Sequence, residues 1–174
     1  MIKRMWVIFL GFPLFFLMVV GSFPIEKSIS GIVEHVYDGD TIFVKGEKIR
    51  FFGIDAPELE QKSFTGKPIG KWSQKYLEDK LLGKVVLVKY YERGVYGRII
   101  GDVFLEDVNI NLDMISKGMA VRSYYNKKWI YINYELNARY KRIGLFGLFG
   151  FEAPWDYRKK MKKLSAKKVG YATK

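Results

Sequence analysis

The sequence predicts a mainly β, α+β domain: a five-stranded OB-fold barrel with about three helices, preceded by an N-terminal hydrophobic segment. Three observations lead there. Short runs of alternating apolar and polar residues recur between Gly31 and Leu105. Turn-forming stretches such as "DGD", "KGEK" and "RGVYG" separate them. Helical spacing begins only after the third run and again after the fifth, so helices are inserted into and appended to a strand framework. A barrel of this kind has an open face suited to oligonucleotides or oligosaccharides.

The chain of 174 residues opens on "MIKRMWVIFLGFPLFFLMVVGSF". Lys3 and Arg4 precede an uncharged apolar run, and "VVGS" offers small residues for cleavage after Gly21. Residues 1–21 therefore read as a signal peptide or, if uncleaved, an N-terminal anchor, although the run is shorter than the roughly 20 residues of a spanning helix. The expected location is secreted, periplasmic or extracytoplasmic and membrane-anchored, with membrane contact only through residues 1–21. Residues 22–30 read as a linker, and the barrel domain is expected over 31–157.

Within that domain "GIVEHVY" alternates as a strand from Gly31. "DGD" turns, because Gly39 tolerates positive φ and the aspartates bond local backbone. "TIFV", a "KGEK" turn and "IRFFGI" complete a three-stranded meander. After the polar loop 59–68, Ile69, Trp72, Tyr76, Leu77 and Leu81 form one apolar stripe, and Gly83 stops that helix. "KVVLVKYYE" and "RIIGDVFL" are the fourth and fifth strands. Val108, Leu112, Ile115 and Met119 recur at helical spacing up to Gly118, and "IYINYELNARYKRI" predicts a third helix ending near Gly144.

Composition narrows the function. The formal net charge is +12, and loss of Lys3 and Arg4 with the signal leaves 12 − 2 = +10. Such a surface suits a polyanion, nucleic acid first and anionic membrane second. The absence of cysteine excludes disulfides and thiolate chemistry, and the single histidine, His35, excludes a His-rich zinc site and reads as a strand residue.

Against this basic background, Asp38, Asp40, Asp55 and Glu58 cluster around Arg50. Carboxylates from two adjacent segments are the hard oxygen ligands that calcium or magnesium prefers, and they repel one another without a cation. The spacing does not match an EF-hand loop. Arg50 and Arg98 supply planar guanidiniums able to grip two phosphate oxygens each. Together with a metal and a free glutamate they would suffice for phosphodiester hydrolysis. Taken singly, "DGDT" and "DAPE" are ordinary turn motifs and Arg98 an ordinary strand residue. Strict strand alternation also puts Arg50 and Asp55 on opposite faces, so a bulge or bend, expected at Gly53, must reset the parity.

In order along the chain, "DGDT", "IRFFGIDAPE", "YGR", the "KGMAV" helix end and "PWDYRK" resemble the staphylococcal nuclease (thermonuclease) family over roughly Gly31 to Lys160. The resemblance implies an OB-fold barrel and calcium-dependent endonucleolysis of DNA and RNA with little sequence specificity, giving 3′-phosphates. It further implies that Asp40 and Asp55, with the backbone carbonyl of Ala56, bind Ca2+. Glu58 matches the general base, Arg50 and Arg98 match the arginines that hold the phosphate, and Tyr96 and Tyr124 match tyrosines of the nucleotide pocket. Val95 departs from the lysine or arginine that many members carry before "YGR". The protein is expected to act as a monomer.

Two features lie outside these motifs. The C-terminal tail, residues 158–174, includes "RKKMKKLSAKK", whose seven basic residues suit either a solvated tail or sequence-independent attraction to a nucleic acid backbone. Tyr124, Tyr125 and Trp129 lie in a polar segment where they can stack on bases. The rival to an enzyme is a catalytically silent nucleic-acid-binding barrel, and an oligosaccharide-binding barrel would leave the arginine pair without a role. The presence of Asp40, Arg50, Asp55, Glu58 and Arg98 together favours the enzyme.

Overall fold

In the computed structural model, which describes residues 26–94 and 97–172, five strands close into a barrel. In chain order the elements are β1 (Lys27–Asp38), β2 (Thr41–Val44), β3 (Glu47–Phe51), β4 (Ile54–Asp55), α1 (Ile69–Leu81), β5 (Val85–Arg93), β6 (Ile99–Leu105) and β7 (Val108–Asn109). Then come α2 (Ile110–Ser116), β8 (Val121–Arg122), α3 (Trp129–Tyr140), a 3-10 turn at Gly144–Gly147 and α4 (Pro154–Ala172).

The barrel strands follow the order β3-β2-β1-β5-β6, and a parallel pairing of β3 with β6, from Ile49↔Ile99 to Phe51↔Gly101, joins the two ends. The long β1 makes this closure feasible. Residues 27–32 pair with β5, residues 33–38 pair with β2, and register shifts around His35 and Val36 bend the strand between its partners. The expected five-stranded barrel is therefore present. Val33, Val36, Ile42, Val44, Ile49, Phe51, Val88, Ile99 and Val103 fill it, and Leu77, Leu81, Met114 and Ile115 plug it from the helices. Each such side chain contributes roughly 1.5–3 kcal/mol of hydrophobic stabilisation on burial.

Several element bounds differ from expectation. β1 begins at Lys27, inside the stretch read as linker, because residues 27–30 find partners on β5. Val108 obeys the helical spacing but lies in a β6–β7 hairpin, opposite Leu105. The helix starts two residues later, where the Asn109 side chain accepts the Leu112 N–H at 3.1 Å. Trp72 fits the α1 stripe yet is exposed; the buried face uses Ser73 instead. α3 ends at Tyr140, before Gly144, since Arg142 already turns into the left-handed region at φ 52°. A fourth helix, α4, runs through what was read as the start of a tail at Arg158. Pro154 at its first position, Asp156 in its first turn and a run of lysines thereafter favour that helix.

Gly39 also turns for a different reason from the one expected. It is not in the positive-φ region; a Cβ there would lie 1.9 Å from Ser73 Oγ and 2.7 Å from the Ala56 Cβ, so close packing under α1 demands glycine. Gly53, by contrast, adopts φ 74° as the expected bend, and Phe52–Gly53 separates β3 from β4. The signal or anchor assigned to residues 1–21, and the assignments for Val95 and Tyr96, lie outside the described residues. Among the described residues no helix is long and apolar enough to cross a membrane.

Candidate active site

The β1–β2 turn, β3 and the β4 end meet at one rim of the barrel. Asp40 N–H donates to Asp38 Oδ1 at 3.0 Å, a local bond that shapes the turn. Thr41, the next residue, pairs with Arg50 across the β2–β3 ladder, which sets the Arg50 side chain beside Asp40. β4 pairs with β8, Asp55 opposite Val121, which fixes the second aspartate. The bend at Gly53 resets strand parity between Arg50 and Asp55 as the alternation argument requires. Its carbonyl accepts from Ser123 N–H at 2.9 Å and from Asn126 Nδ2 at 3.1 Å.

These placements build a tight charge cluster. Asp40 is 1% exposed. Its Oδ1 accepts from an Arg50 Nη and from Thr41 Oγ1 at 3.2 Å, and its Oδ2 accepts from the Ala56 N–H at 2.6 Å. Arg50 also donates from Nη2 to Asp55 Oδ1 at 2.8 Å, so one guanidinium bridges both aspartates. Burial pushes the Asp40 carboxyl well above its usual range, against the opposing pull of Arg50. Burial works against the Arg50 charge in turn, but Asp40 and Asp55 outweigh it and hold the guanidinium firmly protonated.

Glu58 stands on the loop after β4. Its N–H donates to Gln61 Oε1 at 3.3 Å, and its carbonyl accepts from Gln61 N–H at 2.8 Å. The fully buried Gln61 donates in turn from Nε2 to the Glu152 carbonyl at 2.8 Å, tying this loop to the segment that enters α4. An open cleft of about 460 Å³ is bordered by Asp40, Thr41, Arg50, Ala56, Glu58 and Arg98. Asp55 lies behind the lining, reached through its ion pairs. Arg98 borders the cleft, and among the described residues none of the ion pairs uses it.

A second cavity, joined to the first through Arg50 and Arg98, runs past Gly53 and Ser123 to Tyr125. Tyr124 borders neither. It is exposed and packs edge-on to Tyr125 and to Trp155 of α4, at ring separations of 5.2 and 6.0 Å, with Lys127 Nζ 5.4 Å above it. Trp129 is exposed at the start of α3. His35 lies exposed along β1 beside Phe43, as a strand residue.

Sequence reasoning missed Arg158. From α4 it donates Nη2 to Asp55 Oδ2 at 2.6 Å and Nη1 to Asp55 Oδ1 at 3.1 Å and to Glu58 Oε1 at 2.7 Å. The hydrogen bonds to Asp55, and then to Glu58, raise its already high pKa further despite partial burial. One signal was available: Arg158 is the single arginine in a run that otherwise draws its charge from lysine.

The donor set suits a hard divalent cation. Two aspartates, a threonine hydroxyl and a glutamate are oxygen ligands of the kind calcium takes, and two guanidiniums already sit against the carboxylates as stand-in cations. Among the described residues no three His, Cys, Asp or Glu side chains group closely enough to hold a metal alone. A cation here would also need backbone carbonyl and water ligands.

Comparison with known proteins places the chain among relatives. The staphylococcal nuclease homologue family matches residues 48–147, from β3 to the 3-10 turn. A protein of Escherichia coli named as an uncharacterized endonuclease is 36% identical over 144 residues, covering 79% of this chain and 90% of its own length. A staphylococcal-like nuclease of Arabidopsis thaliana is 32% identical over 124 residues, covering 71% of this chain and 36% of its own. A probable endonuclease of the yeast Vanderwaltozyma polyspora is 33% identical over 126 residues, 66% of this chain and 45% of its own. The family match covers more than half of the chain and the Escherichia coli relative is matched over most of both chains, so the chain belongs to the staphylococcal nuclease family.

Proposed function

We propose that this protein is an exported, calcium-dependent endonuclease that hydrolyses DNA and RNA with little sequence specificity and leaves 3′-phosphates. One observation carries the reading: Asp40, Glu58, Arg50 and Arg98 border a single open cleft, and Asp55 supports it from behind. A cleft lined by Arg50, Arg98 and Arg158, with Asp40 inside it, Asp55 behind it and Glu58 at its outer side, fits a phosphodiester and its attacking water.

Asp40, Asp55 and the Ala56 carbonyl would hold calcium, which when bound would supply Lewis-acid neutralisation of charge at the phosphate. The remaining steps belong to side chains. Arg98 meets a phosphate oxygen directly, while Arg50 is oriented by Asp40 and Asp55 toward the same cleft. Glu58 accepts a proton from water as the water oxygen bonds to phosphorus. The bond from phosphorus to the 5′-oxygen breaks, and that oxygen takes a proton from solvent, which leaves the phosphate on the 3′ side. Tyr125 and Tyr124 extend an aromatic surface away from the cleft for bases. The protein acts as a monomer, and residues 1–21 direct its export and supply any membrane anchor.

The test incubates the protein with supercoiled plasmid and, separately, with structured RNA, in calcium or in chelator. Cleavage of both in calcium alone, with at least a tenfold loss in Asp40→Asn (about 1.4 kcal/mol of transition-state stabilisation), is expected. Strong DNA binding without cleavage in calcium would instead assign a nucleic-acid-binding barrel.

A further inference from the structure

We propose that Arg158 is a built-in competitor of the divalent cation: it neutralises Asp55 and Glu58, and a cation binds at Asp55 as its guanidinium withdraws. The proposal rests on the reading of Asp55 as a metal ligand. Both Asp55 oxygens are engaged by Arg158, Oδ2 at 2.6 Å and Oδ1 at 3.1 Å, in the fork geometry of a bidentate pair. The same guanidinium spans to Glu58 Oε1 at 2.7 Å. Calcium takes carboxylate oxygens at about 2.3–2.6 Å. A calcium ion at that distance from Asp55 would lie close to the guanidinium that holds both Asp55 oxygens, and two cations on one carboxylate repel.

Of the two arginines on Asp55, Arg158 is the one built to leave. Arg50 is fixed in barrel strand β3, and its side chain is 22% exposed. Arg158 approaches from the solvent side, with 45% of its side chain exposed and Glu58 42% exposed. Its release returns a guanidinium to water, whereas release of Arg50 would strand a charge among buried groups. The neighbouring contacts hold the start of α4 in place while the side chain exchanges: Trp155 packs on Tyr124, and Gln61 holds the Glu152 carbonyl. A long side chain on an anchored helix start can therefore cap the site or clear it without moving the barrel. Arg158 thereby sets how much calcium the site requires.

The experiment measures calcium binding by titration calorimetry on the full chain without nucleic acid, together with the calcium-induced rise in melting temperature. It compares wild type, Arg158→Gln and Arg158→Lys, with Asp40→Asn as the control that abolishes the metal site. The expected result is at least tenfold tighter calcium binding and a larger calcium-induced Tm shift in Arg158→Gln. Arg158→Lys, which keeps the charge but loses the fork, should fall between and serves alone if the glutamine variant does not fold. Calcium binding by wild type with equal or weaker binding in the variants overturns the competitor role and makes Arg158 a positioning residue. Absence of calcium binding in wild type and variants alike overturns both this inference and the calcium reading beneath it.

Discussion

Asp40 and Glu58 carry the same functional group in opposite environments, and the difference separates their tasks. Asp40 is sealed beneath Arg50, with both oxygens fixed by hydrogen bonds from a strand and a loop. It suits a ligand whose position must not vary. Glu58 is half-exposed, with one oxygen on Arg158 and the cleft before it. It suits a base that must meet water. Glu58→Gln keeps the shape and removes the base, so cleavage should fall about 100-fold or more while calcium affinity stays within a few-fold. Single-turnover cleavage at saturating calcium, paired with a calcium titration, checks this; unchanged cleavage removes Glu58 from the mechanism. These residues were legible because Asp40, Arg50, Asp55 and Glu58 fall on three neighbouring segments of one meander. Arg158 was not legible. It reaches Asp55 across a sequence separation of 103 residues, and that contact depends on where α4 docks, which no local pattern encodes.

At the scale of elements, the site depends on one bend. Arg50 and Asp55 would point to opposite faces of a continuous strand, and the left-handed turn at Gly53 brings them together. The alternation pattern exposed this need in the sequence, and Gly53 was the only residue between them free to meet it. The partner that holds the bend, Asn126, could not be read, because nothing in "YYNKK" marks an asparagine buried 73 positions from its acceptor. Helix limits were less legible than strands for a similar reason: Val108 satisfies helical spacing, yet the short hairpin with β6 and the Asn109 cap decide its state. Gly53→Ala should cost about 1–2 kcal/mol from backbone strain alone. It should cost more from packing, since the new Cβ would lie 2.3 Å from Asn126 Nδ2. Turnover should drop at least tenfold even at a temperature where the variant stays folded. Thermal denaturation and cleavage measured on the same sample decide it: full turnover in a folded, destabilised variant would mean the bend serves stability and not the site.

Across the whole molecule, an acidic cluster sits inside a chain of formal charge +12, and α4 carries much of the excess. The helix starts beside the cleft, where Arg158 touches Asp55 and Glu58, and then presents Lys159, Lys162, Lys163 and Lys167 to solvent. A polyanion reaching the cleft therefore passes a basic helix that begins at the site itself. The composition announced the charge but not its arrangement, because a lysine run reads equally as tail or helix until Pro154 and Asp156 are seen to start one. If α4 tracks the substrate backbone, each lysine that neutralises a phosphate adds about 0.9 to the salt slope of binding to duplex DNA. Replacing Lys159, Lys162, Lys163 and Lys167 by glutamine, in a Glu58→Gln background that leaves the DNA intact, should lower the magnitude of that slope by about 3 to 4. Affinity should fall to a similar extent on unrelated sequences, since backbone contacts carry no base information. Fluorescence anisotropy over a salt series at fixed calcium reads both quantities. An unchanged slope would confine substrate contact to the cleft and leave α4 with Arg158 as its one functional residue.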